Sequence, residues 1–369
     1  MSQSFPLAFV TVTSVTLLAG CAITSPVGNF DSPATTLGVV GLHPPIDQRA
    51  RYRQLFCDEL AHEVSSADAH DHFGEPCDTY LWRLPVESGT ASKPSASAHP
   101  MAKPSSDLRP RVLIVGGAFS DCFPPASTPF AASVERLRQE GFAVDYVPIE
   151  GRSSSKRNSE IVAAGIAAVP LGDARPLVLI GYSKGTADIL ETLIRRPELA
   201  RRVAAVVAIA GAVNGSPLAD RYSRLYGRLF SSMALGSCPA GDGGVLRSLK
   251  RDARLGYLAQ NPLPDYIKYY SVGTFTTSSR LARALKLPQR QLSQVDPRND
   301  GQLLVQDEVI PGSALLGYVN ADHWSVALQM EDRFSFWAHR KAGKHLFPQQ
   351  VLLESVLELI REDLDDATE

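Results

Sequence analysis

An α/β fold, with a mostly parallel central sheet, helices on both faces and a helical cap inserted late in the chain, is what this 369-residue sequence predicts. Three observations carry the expectation. From Arg111 onward, short runs of β-branched residues alternate with stretches of helical spacing, the pattern of parallel strands joined by crossover helices. One apolar run enters a helix directly through Gly181-Tyr182-Ser183-Lys184-Gly185. Residues 216–262 then break the alternation with a mostly helical excursion between two strands, the natural place for a cap over the strand ends.

The chain opens on an address. Residues 5–20, FPLAFVTVTSVTLLAG, are apolar and uncharged and end in Leu18-Ala19-Gly20-Cys21. Small residues at 19 and 20 admit a peptidase to the backbone, and a thiol follows at once. The segment resembles the lipobox of bacterial lipoproteins. That resemblance implies a signal peptide over 1–20, lipidation of Cys21 and a lipoprotein of the bacterial cell envelope, anchored in the membrane and facing the periplasm or the exterior. It departs from the usual export signal in having no Lys or Arg before the apolar run. The run is shorter than the roughly 20 residues that a permanent span requires. Residues 21–46, rich in Pro, Gly, Thr and Ser, read as a tether, and 47–369 as one domain.

The sequence holds five cysteines. With Cys21 set aside, Cys57, Cys77, Cys122 and Cys238 remain, an even number in an oxidising compartment. Three pairings are open to them, with free buried thiols as the alternative. Cys57–Cys77 is favoured because it closes an N-terminal excursion, and Cys122–Cys238 because it ties two loops near the candidate site.

Within the domain, residues 47–64 carry Leu55, Phe56, Leu60 and Val64 at helical spacing, and Tyr80–Leu84 reads as a strand. Residues 86–108 are dense in Ser, Pro and Ala and read as a loop inside the domain. Strands are expected at Val112–Val115, Ala143–Ile149, Leu177–Ile180, Val203–Ile209 and Tyr269–Val272. Helices are expected at Phe130–Glu140, Asn158–Val169 and Lys184–Arg195, at Arg221–Met233 and Val245–Leu258 in the cap, and at Val351–Leu364, whose apolar spacing suits packing against the sheet.

Composition narrows the function. The chain is 44% hydrophobic and 21% charged, with 37 basic against 39 acidic side chains. Such fractions suit a globular protein, and with no basic stripe to neutralise phosphates no nucleic-acid partner is expected. His62, His70 and His72, with Asp68 and Asp71, lie in a polar stretch without a standard metal-ligand spacing. No metal or cofactor is expected. Gly241-Asp242-Gly243-Gly244 follows no strand and reads as a turn, and Arg152-Ser153-Ser154-Ser155 as a helix N-terminus near the rim of the site.

The chemistry centres on Ser183. Gly-x-Ser-x-Gly between an apolar strand and a helix is a nucleophile elbow: the turn is so tight that the residues two before and two after the serine must lack bulk. The helix N-terminus behind the serine puts a positive dipole where an oxyanion would form. From about Arg111 to Lys341 the chain resembles the α/β-hydrolase superfamily, and within it bacterial lipases and esterases. The resemblance implies a general base and an acid in the order Ser, acid, His. His323 stands where a strand breaks into a loop, in Asn320-Ala321-Asp322-His323-Trp324, similar to the family's Asp-His loop. His339 and His345 read as surface residues. Asp300, in Asn299-Asp300-Gly301, matches the family's acid-bearing turn, with Asp296, Asp307 and Glu308 as competitors and Asp322 as a loop-shaping residue.

By the same resemblance, the oxyanion hole consists of the backbone amides of Lys184 and Ala118, with Phe119 as the lesser candidate. Lys184 departs from the His, Gln or Met common after the nucleophile, and its charge leaves substrate preference open. The implied activity is hydrolysis of a carboxylic ester, small or lipid, through an acyl-enzyme. An acyltransferase or thioesterase would use the same residues, and a binding or scaffold lipoprotein could keep the fold without activity.

Overall fold

The computed structural model of the protein describes residues 43–65, 75–83, 109–222, 238–329 and 347–366. The expected signal, the lipobox at Cys21 and most of the tether lie outside the described residues, as do the 86–108 loop, residues 223–237 of the cap and both His339 and His345.

Seven parallel strands form the sheet: β1 (Ile46–Asp47), β2 (Arg111–Val115), β3 (Ala143–Val147), β4 (Leu177–Tyr182), β5 (Val203–Ile209), β6 (Lys268–Thr274) and β7 (Ala314–Val319). Their spatial order is β1-β7-β6-β5-β4-β2-β3. The chain steps outward from β2 to β3 and then crosses back to β4 on the other side of β2. The loops after β2 and β4 therefore leave in opposite directions and open a crevice at the carboxyl ends of the strands, where ligands bind in open α/β sheets.

Alternate residues of each strand feed two cores. Val112, Ile114, Val178, Ile180 and Val207 face one side, with Tyr52, Phe56 and Leu60 of helix α1 (Arg49–Ser65) and Val351, Val356 and Ile360 of the C-terminal helix Gln349–Asp365. Leu113, Val115, Leu179 and Val206 face the other, with Val162 and Ile166 of the helix Ser155–Ala168 and Ile189, Leu190 and Leu193 of the helix Lys184–Arg195. The side-chain period of two in a strand buried on both faces requires this arrangement. We call the helices Ala131–Gln139, Ser155–Ala168, Lys184–Arg195, Arg251–Gln260 and Gln349–Asp365 α2, α3, α4, α5 and α6.

Both favoured disulfides are formed, Cys57–Cys77 across 20 residues and Cys122–Cys238 across 116. In the chain-entropy account, loops of these lengths stabilise by about 3–5 kcal/mol each.

Three elements differ from expectation. Tyr80–Leu84 is not a strand: a 3-10 turn at Cys77–Thr79 precedes a single antiparallel bridge from Leu81 to Val319. The disulfide to Cys57 of α1 holds that turn, and the contact with β7 is limited to this bridge and a bond from Trp82 N to the Tyr318 carbonyl at 2.9 Å. The helix expected over Val245–Leu258 is two, Val245–Ser248 and α5. It breaks where the Leu249 carbonyl turns away to accept from Ser216 N at 2.8 Å. On α1 it is Tyr52, Phe56 and Leu60 that are buried, while Val64 is 46% exposed.

Glu354 of α6 is buried most of the way down. Loss of hydration, with the charges of Glu140 and Glu59 adding to it, pushes its carboxyl up to about 8. Folding therefore takes up a proton there, and its stabilising effect is present below the ordinary glutamate range near pH ~4.3 and lost as pH rises towards 8. E354Q is expected to flatten that decline and to raise the melting temperature above that of the parent at pH 9. Parallel melting curves of the two proteins from pH 5 to 9 would speak against it.

Candidate active site

Ser183 follows β4 directly and opens α4 with φ 54° and ψ −127°. A non-glycine residue at positive φ is strained, and the strain persists only where the surroundings over-determine it. They do so here. A Cβ at Gly185 would stand 2.1 Å from the Val115 carbonyl oxygen, and one at Gly181 2.6 Å from Thr186 Cα. Both glycines are thus required by close approach of backbone to backbone. Positive φ is confined to the serine between them. The Ser183 carbonyl accepts from Ala212 N at 2.9 Å and Thr186 N at 3.2 Å, and Thr186 Oγ1 donates to Gly181 O at 2.9 Å.

The structure brings the three side chains singled out in the sequence into contact. His323, in the loop after β7, places Nε2 2.9 Å from Ser183 Oγ and Nδ1 2.5 Å from Asp300 Oδ2. All three are buried, Ser183 at 8%, His323 at 2% and Asp300 at 0% exposure. Asp300 is aimed by its own turn: Oδ1 accepts from Gln302 N and Leu303 N at 2.7 Å each, leaving Oδ2 for the imidazole. Two backbone contacts hold the ring: His323 N donates to Asp300 O at 2.9 Å, and Tyr182 OH donates to His323 O at 2.6 Å.

The competing acids are engaged elsewhere. Asp296 is bound by Arg298 and Asp307 by Arg251. Glu308 accepts from Thr274 N at 2.7 Å. Burial, and after it the charge of Asp300, pushes the Glu308 carboxyl far above the usual range. Asp322 shapes its loop, accepting from Ala282 N, Trp324 N and Ser325 N at 2.6–3.1 Å.

The loop after β2 closes on the nucleophile. A Cβ at Gly117 would lie 2.8 Å from Ser183 Cβ and 3.2 Å from Oγ. Beyond it, Phe119 N donates to Gly151 O at 3.0 Å, which removes Phe119 as an oxyanion donor. Among the described residues no carbonyl or side chain accepts from the amides of Ala118 or Lys184. Both amides are left without an acceptor. The Lys184 side chain turns away from the cleft: Nζ donates to Asp188 Oδ1 and Oδ2 at 2.6 and 2.8 Å, with both residues fully buried. Its charge is paired inside the protein. Tyr182, Asp188 and Asn158, which carry this scaffold, were not foreseen. Only the i,i+4 spacing of Lys184 and Asp188 on one helix face signalled such a pair.

The segments read as turn and helix start meet each other. Ser154 caps α3, accepting from Arg157 N at 3.2 Å, and Asp242 of the Gly241–Gly244 turn accepts from Ser154 N at 2.7 Å. The protein's own carboxylate therefore occupies that helix N-terminus. Of His62, Asp68, His70, Asp71 and His72, only His62 lies among the described residues, 3.9 Å from Glu59.

Comparison with solved structures places the chain in a family. The fold matches a metagenomic carboxyl esterase, MGS0156, with a TM-score of 0.78 and 33% sequence identity, over 90% of this chain and 97% of that one. The chain belongs to the α/β-hydrolase superfamily, among its esterases. The propeptide form of the lipase BlEst2 from Bacillus licheniformis shares the fold at 18% identity and a TM-score of 0.50, over 63% of this chain and 50% of that one. No protein-family model matches the chain, and no curated protein matches it in sequence.

The tightness of the elbow is testable. G185A, whose methyl group would meet the Val115 carbonyl, is expected to cost about 1–3 kcal/mol, as overpacking does, and to lower esterase activity with it. An unchanged urea midpoint would show that the turn has room to spare.

Proposed function

We propose that this enzyme hydrolyses carboxylic esters through a Ser183–His323–Asp300 triad and a covalent acyl-enzyme. The unbroken line of contacts from Ser183 Oγ through the imidazole to Asp300 carries the proposal, and the 33% identity to a carboxyl esterase supports the substrate class. His323 Nε2 takes the serine proton as Oγ attacks the ester carbonyl. Asp300 holds Nδ1 and offsets the imidazolium charge. The Ala118 and Lys184 amides receive the oxyanion, each donor lowering the barrier by about 2.7–4 kcal/mol in comparable sites. The imidazolium then protonates the departing alkoxide. Water, deprotonated by His323, attacks the acyl-enzyme and releases the acid.

S183A is expected to reduce turnover of a short acyl ester by about 10⁴-fold or more and to abolish labelling by a fluorophosphonate. Undiminished turnover would overturn the mechanism. We further propose, on the lipobox-like segment alone, that Cys21 carries the lipid anchor. C21S is then expected to move the enzyme from the membrane fraction to the aqueous one. Retention of the variant with the membranes would count against the anchor.

A further inference from the structure

The two amides assigned to the oxyanion belong to separate parts of the chain, Ala118 after β2 and Lys184 at the start of α4. Their catalytic value depends on a fixed mutual geometry, because the donors must converge on one oxygen. The structure shows what they share. Phe119 N donates to Gly151 O at 3.0 Å, and Gly151 N donates to Asp121 Oδ1 at 3.0 Å, so the β2 loop is pinned to Gly151 at Phe119, next to Ala118, and again at Asp121. A Cβ at Gly151 would lie 2.6 Å from Phe119 N, so glycine is what permits the approach.

The preceding residue holds the other arm. Glu150 N donates to Asn158 Oδ1 at 3.2 Å, and Asn158 Nδ2 donates back to Glu150 O at 3.1 Å and on to Asp188 Oδ2 at 2.8 Å. Asp188 in turn holds both of its oxygens against Lys184 Nζ. Asn158, Asp188 and Lys184 are all fully buried. A lysine at this position could have reached for solvent. Its ammonium is instead spent on a clamp that runs back to the dipeptide which also anchors the β2 loop.

We infer that Asn158 is a positioning residue that keeps the two oxyanion donors in register, by joining the Lys184–Asp188 pair to the Glu150–Gly151 unit on which the Ala118 loop rests. The inference depends on the oxyanion hole proposed above. Asn158 touches neither His323 nor Asp300, so the proton-transfer line is left alone. Breaking the clamp alters where the Lys184 amide points relative to the Ala118 amide, and small misplacements of this kind are costly.

The test replaces Asn158 with leucine (N158L), of similar size but without hydrogen bonds, and separately makes D188N, which keeps the shape while releasing Lys184. Rates are normalised to the number of serines titrated by a fluorophosphonate, so that unfolded molecules are not counted. Both variants are expected to lose about 10–100-fold in kcat with KM within about twofold. Affinity for a trifluoromethyl ketone, whose adduct carries an oxyanion, should fall in proportion, and the pH profile of kcat/KM should stay in place. A lower melting temperature with parental kcat and ketone affinity per titrated serine would reduce the clamp to a structural role and overturn the inference. Should N158L yield no titratable enzyme, D188N decides by the same measures. S183A separates the two levels: turnover surviving in S183A removes the hydrolase mechanism, whereas a silent S183A beside normal N158L and D188N removes only the clamp.

Discussion

The backbone of Ser183 is held where a serine would not otherwise stay, and the site is built around that constraint. Its positive φ is maintained by α4 lying directly against β2, so close that residue 185 has no room for a methyl group beside the Val115 carbonyl. That contact places Ser183 at the carboxyl end of β4, leaves the Lys184 amide without an acceptor at the start of a helix and brings Gly117 against Ser183. Strain at functional positions is of order 1–3 kcal/mol per residue. It is offset by burial on both faces of β4, every residue of which is buried.

Buried polar groups close to the nucleophile are handled in two ways. Some are paired: Lys184 with Asp188, Asp296 with Arg298, and Asp307 with Arg251. Others are kept neutral. Tyr182 is fully buried beside Asp300, Asp322 and Glu308. Burial first, and those carboxyls after it, push its hydroxyl far above the usual range, so it stays a donor to the His323 carbonyl. In a low-dielectric site an unpaired charge would be costly, and a neutral donor fixes the histidine loop without adding one.

Much of this was legible in the sequence because local chemistry and global fold agree there. Glycines two positions before and two positions after a serine, an apolar run before and a helix after, state the elbow outright. Asn299-Asp300-Gly301 states a turn, and Gly301 does adopt a positive φ of 93°. What escaped notice was set by distant packing. β1 is only Ile46–Asp47, too short to carry any period, and exists because β7 offers it an open edge. The break at Leu249 depends on a carbonyl claimed by Ser216, 33 residues earlier in the chain. Asn158 looks like any polar residue in the first turn of a helix, and its partners lie 8 and 30 positions away.

The return limb of the excursion over 216–262 follows the same logic at larger scale. It is tied to four loops at the carboxyl end of the sheet, each by a different bond. Cys238 is joined to Cys122 in the β2 loop. Asp242 caps α3 beyond β3. Arg254 donates to the Val213 carbonyl after β5 at 3.1 Å, and Arg251 to Asp307 in the segment that carries Asp300 at 3.0 Å. These anchors are covalent, ionic and backbone in kind, and they grip the loops that also bear Ala118, Ala212 and Asp300. A limb rooted in this way can move only together with the loops it grips, so residues 238–262 form one framework with the segments around Ser183.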